Sequence, residues 1–258
     1  MNKFVIKDDF MGQILALLCV FRILFWRMIV NNFCYAFCRR ACKKVNKSIT
    51  EKAAFTIFSI LKCYVGFDFK ADKESKKLLP DQYLVISNHQ SILDIVVYMR
   101  FLKQDYMKYM AKYELINHVP LVSVMLKTGD HCIVKRKGSP TQAMKAVDKF
   151  ANTVKEKGYI PVIFPEGTRS KDGEVQTFYS AGVRRFLNTQ AMPVAICALD
   201  GGYKISSLSA FIRGIKGEGY RMKVLKVLPP PTTKEEQLEM LEEAKALIEA
   251  QLKEWREE

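Results

Sequence analysis

A chain of 258 residues with 49% apolar side chains is long enough for one well-filled α/β domain and too apolar to be disordered. Its 41 Lys and Arg against 27 Asp and Glu leave a formal charge of +14, which calls for an anionic partner: a phosphate-bearing ligand, an anionic lipid surface or nucleic acid. The distribution of charge removes nucleic acid as a partner. Residues 10–50 contain no acid, while Arg22, Arg27, Arg39, Arg40, Lys43, Lys44 and Lys47 stand among bulky apolar side chains, as a lipid interface requires.

Residues 10–30 are long enough to span a bilayer, but Arg22 and Arg27 fall within them. Each central Arg costs about 2.5–3.5 kcal/mol on insertion scales, which favours a helix lying in or dipping into the interface over a simple span. Asp8 and Asp9 precede the apolar stretch and no small-residue cleavage site follows, unlike a cleavable signal. Lys43, Lys44 and their neighbours then face the anionic cytoplasmic leaflet, each contributing about 1 kcal/mol. The expected location is the cytoplasmic face of the cell membrane, monotopic or single-pass. Cys19, Cys34, Cys38, Cys42, Cys63, Cys132 and Cys197 are odd in number and fit a reducing compartment. Cys34, Cys38 and Cys42 recur at helical spacing on one face; without a nearby His or a Cys-x-x-Cys they read as small apolar packing residues rather than a metal site.

A second apolar stretch, residues 53–69, completes a helical hairpin with the first, and the polar run 71–77 is the natural boundary. Beyond it strands and helices alternate, as in an α/β domain. Residues 83–87 and 132–134 read as strands, and 92–102 as a helix. Ser139-Pro-Thr-Gln142 reads as a capping box opening a helix whose Ala143, Met144, Val147, Phe150, Ala151 and Val154 share a face. Residues 159–164 form a strand in which Pro161 suggests an edge or irregular position. Residues 183–187 read as helix and 194–199 as a core strand. After Pro229-Pro-Pro231, Thr233 and Glu236 cap a last helix whose Leu238, Leu241, Ile248, Leu252 and Trp255 dock on the body.

Two segments carry chemistry. In Ser87-Asn-His-Gln-Ser-Ile-Leu-Asp94, His89 and Asp94 would lie about 140° apart on a continuous helix, so they meet only if His89 sits in the turn before it. Ser91 as N-cap gives that geometry. A carboxylate on one ring nitrogen fixes the tautomer and leaves the other free to accept a hydroxyl proton; on the plainer alternative Asp94 merely completes the cap of Ser91. In Phe164-Pro-Glu-Gly-Thr-Arg-Ser170 a buried strand ends in a polar turn, where Gly167 lets backbone approach a ligand and Arg169 offers a fork for phosphate. Residues 129–136 lead a third strand into Lys135-Arg-Lys137, which by itself is a solvated basic turn.

Taken in order, Asn88-His-(four residues)-Asp94, an arginine after a Gly-led strand, Phe-Pro-Glu-Gly-Thr-Arg-Ser and Pro193-Val-Ala-Ile196 resemble the four motifs of the glycerolipid acyltransferase family, most of all its 1-acyl-sn-glycerol-3-phosphate acyltransferase type. The likeness runs from about residue 84 to 201. It implies a mixed sheet flanked by helices, with an N-terminal membrane-association segment (1–66) before the catalytic domain (67–258). It further implies His89 as catalytic base and Asp94 as its partner carboxylate. Lys112, Arg136, Glu166, Gly167, Thr168 and Arg169 fall at substrate-binding positions, and Pro193 at one linked to acyl-chain placement. The second motif is one residue longer than the family pattern, so Lys135 can stand in for Arg136. Tyr179-Ser-Ala-Gly182 replaces a family Phe-Lys-x-Gly and loses a cation. The implied reaction takes an acyl group from acyl-coenzyme A or acyl-carrier protein to lysophosphatidic acid, giving phosphatidic acid, with no metal or cofactor. Other lyso-lipids or glycerol 3-phosphate are alternative acceptors. A serine hydrolase built on Ser87 or Ser91, and a non-enzymatic lipid-binding module, are the alternatives of a different class.

Overall fold

The computed structural model describes residues 9–102, 106–118, 122–135, 138–206 and 218–258. Two long helices, α1 (Asp9–Phe37) and α2 (Arg39–Val65), form an antiparallel hairpin. At its open end they approach so closely that a Cβ on Gly12 would stand 2.4 Å from the carbonyl oxygen of Tyr64. Near the other end, Asn46 Nδ2 donates to Thr128 Oγ1 (2.6 Å), fastening α2 to α5 (Val122–Thr128), a short helix of the body that follows the one-turn α4 (Leu115–His118). The helix breaks at Cys38, whose backbone is extended. Cys34 and Cys42 therefore belong to different helices: Cys42 is buried, as packing predicts, but Cys38 is exposed at the corner. The apolar helix predicted over 53–69 stops earlier, because Gly66 takes the left-handed conformation (φ 67°), its N–H closing on the Lys62 carbonyl and the Phe67 N–H on that of Leu61.

Past Gly66 the chain builds a seven-stranded mixed sheet with helices on both faces. The strands are β1 (Asp68–Ala71), β2 (Leu84–Ser87), β3 (Met107–Lys112), β4 (Cys132–Val134), β5 (Ile160–Ile163), β6 (Val194–Asp200) and β7 (Gly219–Leu228), in the spatial order β1-β7-β6-β2-β5-β3-β4. The five from β2 to β6 are mutually parallel; β7 runs antiparallel to β6, and β1 is parallel to β7. Strands β2, β5 and β6 are continuous apolar runs because both their faces are covered. Val85, Ala195, Cys197 and Leu199 pack toward α2 and α3 (Leu93–Phe101), together with Phe58 and Leu61 of the hairpin. Leu84, Ile86, Val194, Ile196 and Ala198 pack toward α6 (Pro140–Lys157), α7 (Ser180–Thr189) and α8 (Lys234–Glu257). Arg100 of α3 lies over three rings, Phe55, Phe58 and Phe69, at 5.1–5.4 Å, so cation–π contact adds to the seam between α3 and the hairpin.

Three local expectations are corrected. Pro161 does not mark an edge: β5 lies between β2 and β3, and its pairing with β2 begins only at Val162, so no ladder bond to β2 needs the missing proline N–H. Ser139 does stand before the helix with Pro140 at its first turn, but its side chain makes no cap bond; the amides of Gln142 and Ala143 turn to its main-chain carbonyl instead. Strands β1, β3 and β7 had no counterpart among the predicted elements. The Thr233–Glu236 capping box of α8 forms in full.

Candidate active site

The parallel strands bring their carboxyl ends to one edge of the sheet, where ligands bind in open α/β folds. His89 and Asp94 follow β2, Lys112 ends β3, Lys135 follows β4, and Glu166 to Arg169 follow β5. Asn88 extends β2 by pairing with the main chain of β6, donating to the Leu199 carbonyl (2.8 Å) and accepting from its N–H (2.9 Å). His89 is thereby released into the turn before α3.

His89 Nδ1 lies 2.7 Å from Asp94 Oδ2. The same oxygen accepts the N–H groups of Gln90 (2.7 Å) and Ser91 (3.0 Å), so Asp94 serves the helix cap and the imidazole at once. Its other oxygen, Oδ1, accepts the hydroxyl of Tyr220, which is fully buried on β7. The carboxylate is itself fully buried, and every hydrogen bond given to it comes from a donor. The imidazole stacks on Phe164 with centroids 4.2 Å apart, and no described residue bonds to Nε2. Of the other histidines, the side chain of His118 is outside the described residues. His131 is a packing residue: burial, then the charge of Lys108, pushes it down to about 3, and its Nδ1 accepts the Tyr109 N–H.

The loop after β5 clamps the main chain of His89 from both sides. Glu166 Oε1 accepts the His89 N–H (2.7 Å), and the Ser170 N–H donates to the His89 carbonyl (2.8 Å). Glu166 Oε2 accepts the N–H of Gln176 (3.1 Å), and the side chain is 2% exposed. Both carboxylate oxygens are thus committed to main chain. The resemblance gave Glu166 to the substrate; the geometry makes it a strap between the two loops. Burial raises its carboxyl, the amides of His89 and Gln176 oppose this, and the outcome is a group pushed up to about 7. Gly167 turns the loop at φ 64°. Thr168 and Arg169 face outward, exposed, beyond that turn.

Lys112 is half-buried at the end of β3, and Lys135 is exposed with its ammonium 5.6 Å from the ring centre of Tyr113. Arg136 lies outside the described residues. Lys112, Lys135 and Arg169 leave the same edge of the sheet as His89, the arrangement an anionic substrate needs. Pro193 does not join them. It precedes β6, and its carbonyl accepts the Leu84 N–H at the opposite end of the sheet, a seven-residue strand of roughly 20 Å away from the site edge. Neither candidate serine is placed as a nucleophile: Ser87 Oγ donates to the Asn88 carbonyl, Ser91 Oγ accepts the Leu93 N–H, and both residues are buried.

Four residues at this edge were not anticipated. Gln90 donates to Asp200 Oδ1 (3.1 Å) and the Gly173 carbonyl (3.3 Å) and accepts from Gly202 N–H (2.9 Å). Arg256, near the end of α8, grips Asp200 with two nitrogens and also donates to the Gly173 carbonyl and Glu174. The last helix thereby ties the loops after β5 and β6 to the residue beside His89. Tyr220 is the fourth. Gln90 stood inside the first motif, where a polar side chain next to the candidate base was a signal; Asp200, Tyr220 and Arg256 had none beyond their residue type.

Comparison with known proteins gives a family and a shared fold. The chain is 28% identical over 150 residues to a 1-acyl-sn-glycerol-3-phosphate acyltransferase of Cocos nucifera, a match covering 58% of this chain and 43%, less than half, of that protein. The crystal structure of the 1-acyl-sn-glycerophosphate (LPA) acyltransferase PlsC from Thermotoga maritima has the same fold, with a TM-score of 0.68 at 20% identity over 96% of each chain. A family model described as Acyltransferase matches residues 70–198, half of the chain, and the match takes in His89, Asp94, Lys112, Glu166 and Arg169. With the His-Asp pair and the basic edge inside that match, the chain belongs to the acyltransferase family.

Proposed function

We propose that this chain transfers a fatty acyl group from an acyl thioester, acyl-coenzyme A or acyl-carrier protein, to the free hydroxyl of 1-acyl-sn-glycerol 3-phosphate. The observation that carries the proposal is the 2.7 Å contact of His89 Nδ1 with the buried Asp94, which leaves Nε2 without a partner among the described residues, at an edge lined by Lys112, Lys135 and Arg169. His89 Nε2 takes the proton of the acceptor hydroxyl as its oxygen attacks the thioester carbonyl carbon. The tetrahedral intermediate collapses, the carbon–sulfur bond breaks, and the leaving thiolate recovers the proton from His89. Asp94 holds the tautomer and stabilises the transient imidazolium, and the cations hold the acceptor phosphate so that its hydroxyl faces the thioester.

Membrane docking belongs to the same proposal. Residues Met11–Phe37 are long and apolar enough to cross a membrane, and α1 exposes Leu18, Phe21, Phe25, Trp26, Phe33 and Phe37. Arg22 is exposed on the same helix, which supports a helix bedded in the interface over a span. The test is a radiolabelled oleoyl-coenzyme A assay on vesicles with four acceptors: glycerol 3-phosphate, its lyso-acyl form, a lyso-ethanolamine lipid and a lyso-ornithine lipid. The lyso-acyl phosphate should be the preferred acceptor; turnover with none of the four, or a preference for another, rejects the assignment.

A further inference from the structure

Asp94 has one oxygen for His89 and the helix turn, and the other for Tyr220, which arrives from 126 residues away. The contact is built rather than incidental. The antiparallel course of β7 starts the strand at the site edge, beside the end of β6, so residue 220 comes level with α3. The ring is fixed edge-on against Phe58 of α2 and against Phe67, with centroids 6.2 Å away in each case. A Cβ on Gly202 would lie 2.0 Å from the Tyr220 hydroxyl oxygen and 3.1 Å from Asp94 Oδ1, so the glycine leaves room for the hydroxyl.

We propose that Tyr220 is a positioning residue for the His89–Asp94 pair: its hydroxyl holds Oδ1 and so fixes the carboxylate with Oδ2 against Nδ1. The inference rests on the acyl-transfer reading, in which neutral His89 is the base. It also places the hairpin in contact with the chemistry, because Phe58 of α2 braces the ring whose hydroxyl holds the catalytic carboxylate. Burial, together with the charge of Asp94, keeps Tyr220 protonated well above the ordinary tyrosine range, so toward Asp94 it is the donor. The other titratable groups around Asp94 are Tyr98 of α3, Tyr109 of β3, Cys197 of β6, which adjoins Tyr98, and Glu166. Burial holds both tyrosines and the thiol neutral, and burial pushes Glu166 up to about 7.

Because Glu166 is pushed up to about 7, a rate profile alone would carry its titration as well, so the protonation of His89 is read directly. Imidazole resonances of the full chain in micelles are followed against pH, with His89→Ala assigning the signal among three histidines. In Tyr220→Phe the carboxylate keeps more charge for the imidazolium, so the His89 midpoint should rise by at least half a pH unit. Turnover should fall at least tenfold, with both Michaelis constants within threefold of wild type. In an Asp94→Asn background the same change should cost less than threefold. Gly202→Ala, on a backbone (φ −66°, ψ −34°) that alanine adopts, pushes its methyl into the hydroxyl's place and should give the same signature. An unmoved midpoint with unmoved turnover in both variants, or a full tenfold loss on top of Asp94→Asn, overturns the inference. Wild-type turnover in His89→Ala would instead bring down the acyl-transfer reading beneath it.

Discussion

Glu166→Gln separates a strap from a substrate ligand. The glutamine keeps the shape of the side chain but offers one carbonyl oxygen where the carboxylate offers two acceptors, to the amides of His89 and Gln176. One buried N–H is left facing an NH2 group, at a cost of about 1–3 kcal/mol. Expressed in the transition state, that is a fall in kcat of about 5- to 150-fold, because a loosened His89 main chain misplaces the base. The acceptor's Michaelis constant should stay within threefold, since Glu166 is buried and both its oxygens accept main-chain amides. Stability gives a second readout. The carboxyl titrates near 4.5 in the unfolded chain and at about 7 in the native one. Between those values the native state holds a proton that the unfolded state has lost. Stability is therefore fully present below about pH 4.5 and lost as pH rises through about 7, by about 3 kcal/mol in all. Urea unfolding from pH 4 to pH 8 should show that decline in wild type and a flatter curve in Glu166→Gln, with initial rates measured against both substrates in parallel. A raised acceptor Michaelis constant at unchanged kcat, or an unchanged pH slope, would refute the strap.

The remaining predictions concern the base, the cations and the membrane. His89→Ala should lower turnover at least a hundredfold in a folded protein, and Asp94→Asn should also be severe because the amide can favour the wrong tautomer; steady-state rates within threefold of wild type, with an unaltered circular dichroism spectrum, would remove the mechanism. Arg136→Ala and Arg169→Ala should each raise the acceptor's Michaelis constant tenfold or more, from the loss of about 1.5–3 kcal/mol in charge-assisted hydrogen bonding, and leave the donor's nearly unchanged; equal effects on both substrates would count against them. Neutralising Arg39, Arg40, Lys43, Lys44 and Lys47 removes at most about 5 kcal/mol of attraction to anionic lipid and should abolish the preference for anionic vesicles without affecting neutral ones. Replacing Phe21, Trp26 and Phe33 with serine should instead weaken sedimentation with both vesicle types, since each buried ring is worth about 1.5–3 kcal/mol; undiminished sedimentation would place the membrane contact elsewhere.

Several elements were legible before any coordinates because their signals are local. The Thr233–Glu236 cap, the run from Val194 to Leu199 and the amphipathic face of residues 143–154 each follow from neighbours a few positions apart. The His89–Asp94 contact could be drawn from its spacing, since one turn and one cap residue decide it. Strand β7 carried a readable pattern as well, with Tyr220, Met222 and Val224 buried between Arg221 and Lys223, but at the end of a stretch that offered no other mark. Pro161 misled because proline's usual place in sheets is the edge, whereas here the pairing to β2 starts one residue later.

By itself, then, the sequence determined the basic apolar hairpin, the alternating α/β body and the residue types of a base, its carboxylate and a set of cations, all of them matters of short-range pattern. The tertiary structure alone decided what each of those groups touches. Glu166 became a strap, Pro193 went to the far end of the sheet, Arg256 closed onto Asp200, and Tyr220 met Asp94. The reason is that, apart from the Glu166–Gln176 bond, these contacts join residues 56 to 126 positions apart, and they exist only once strand order, direction and register are set. Those are fixed by burying both faces of one sheet at the same time, a cooperative condition that no local window of residues contains.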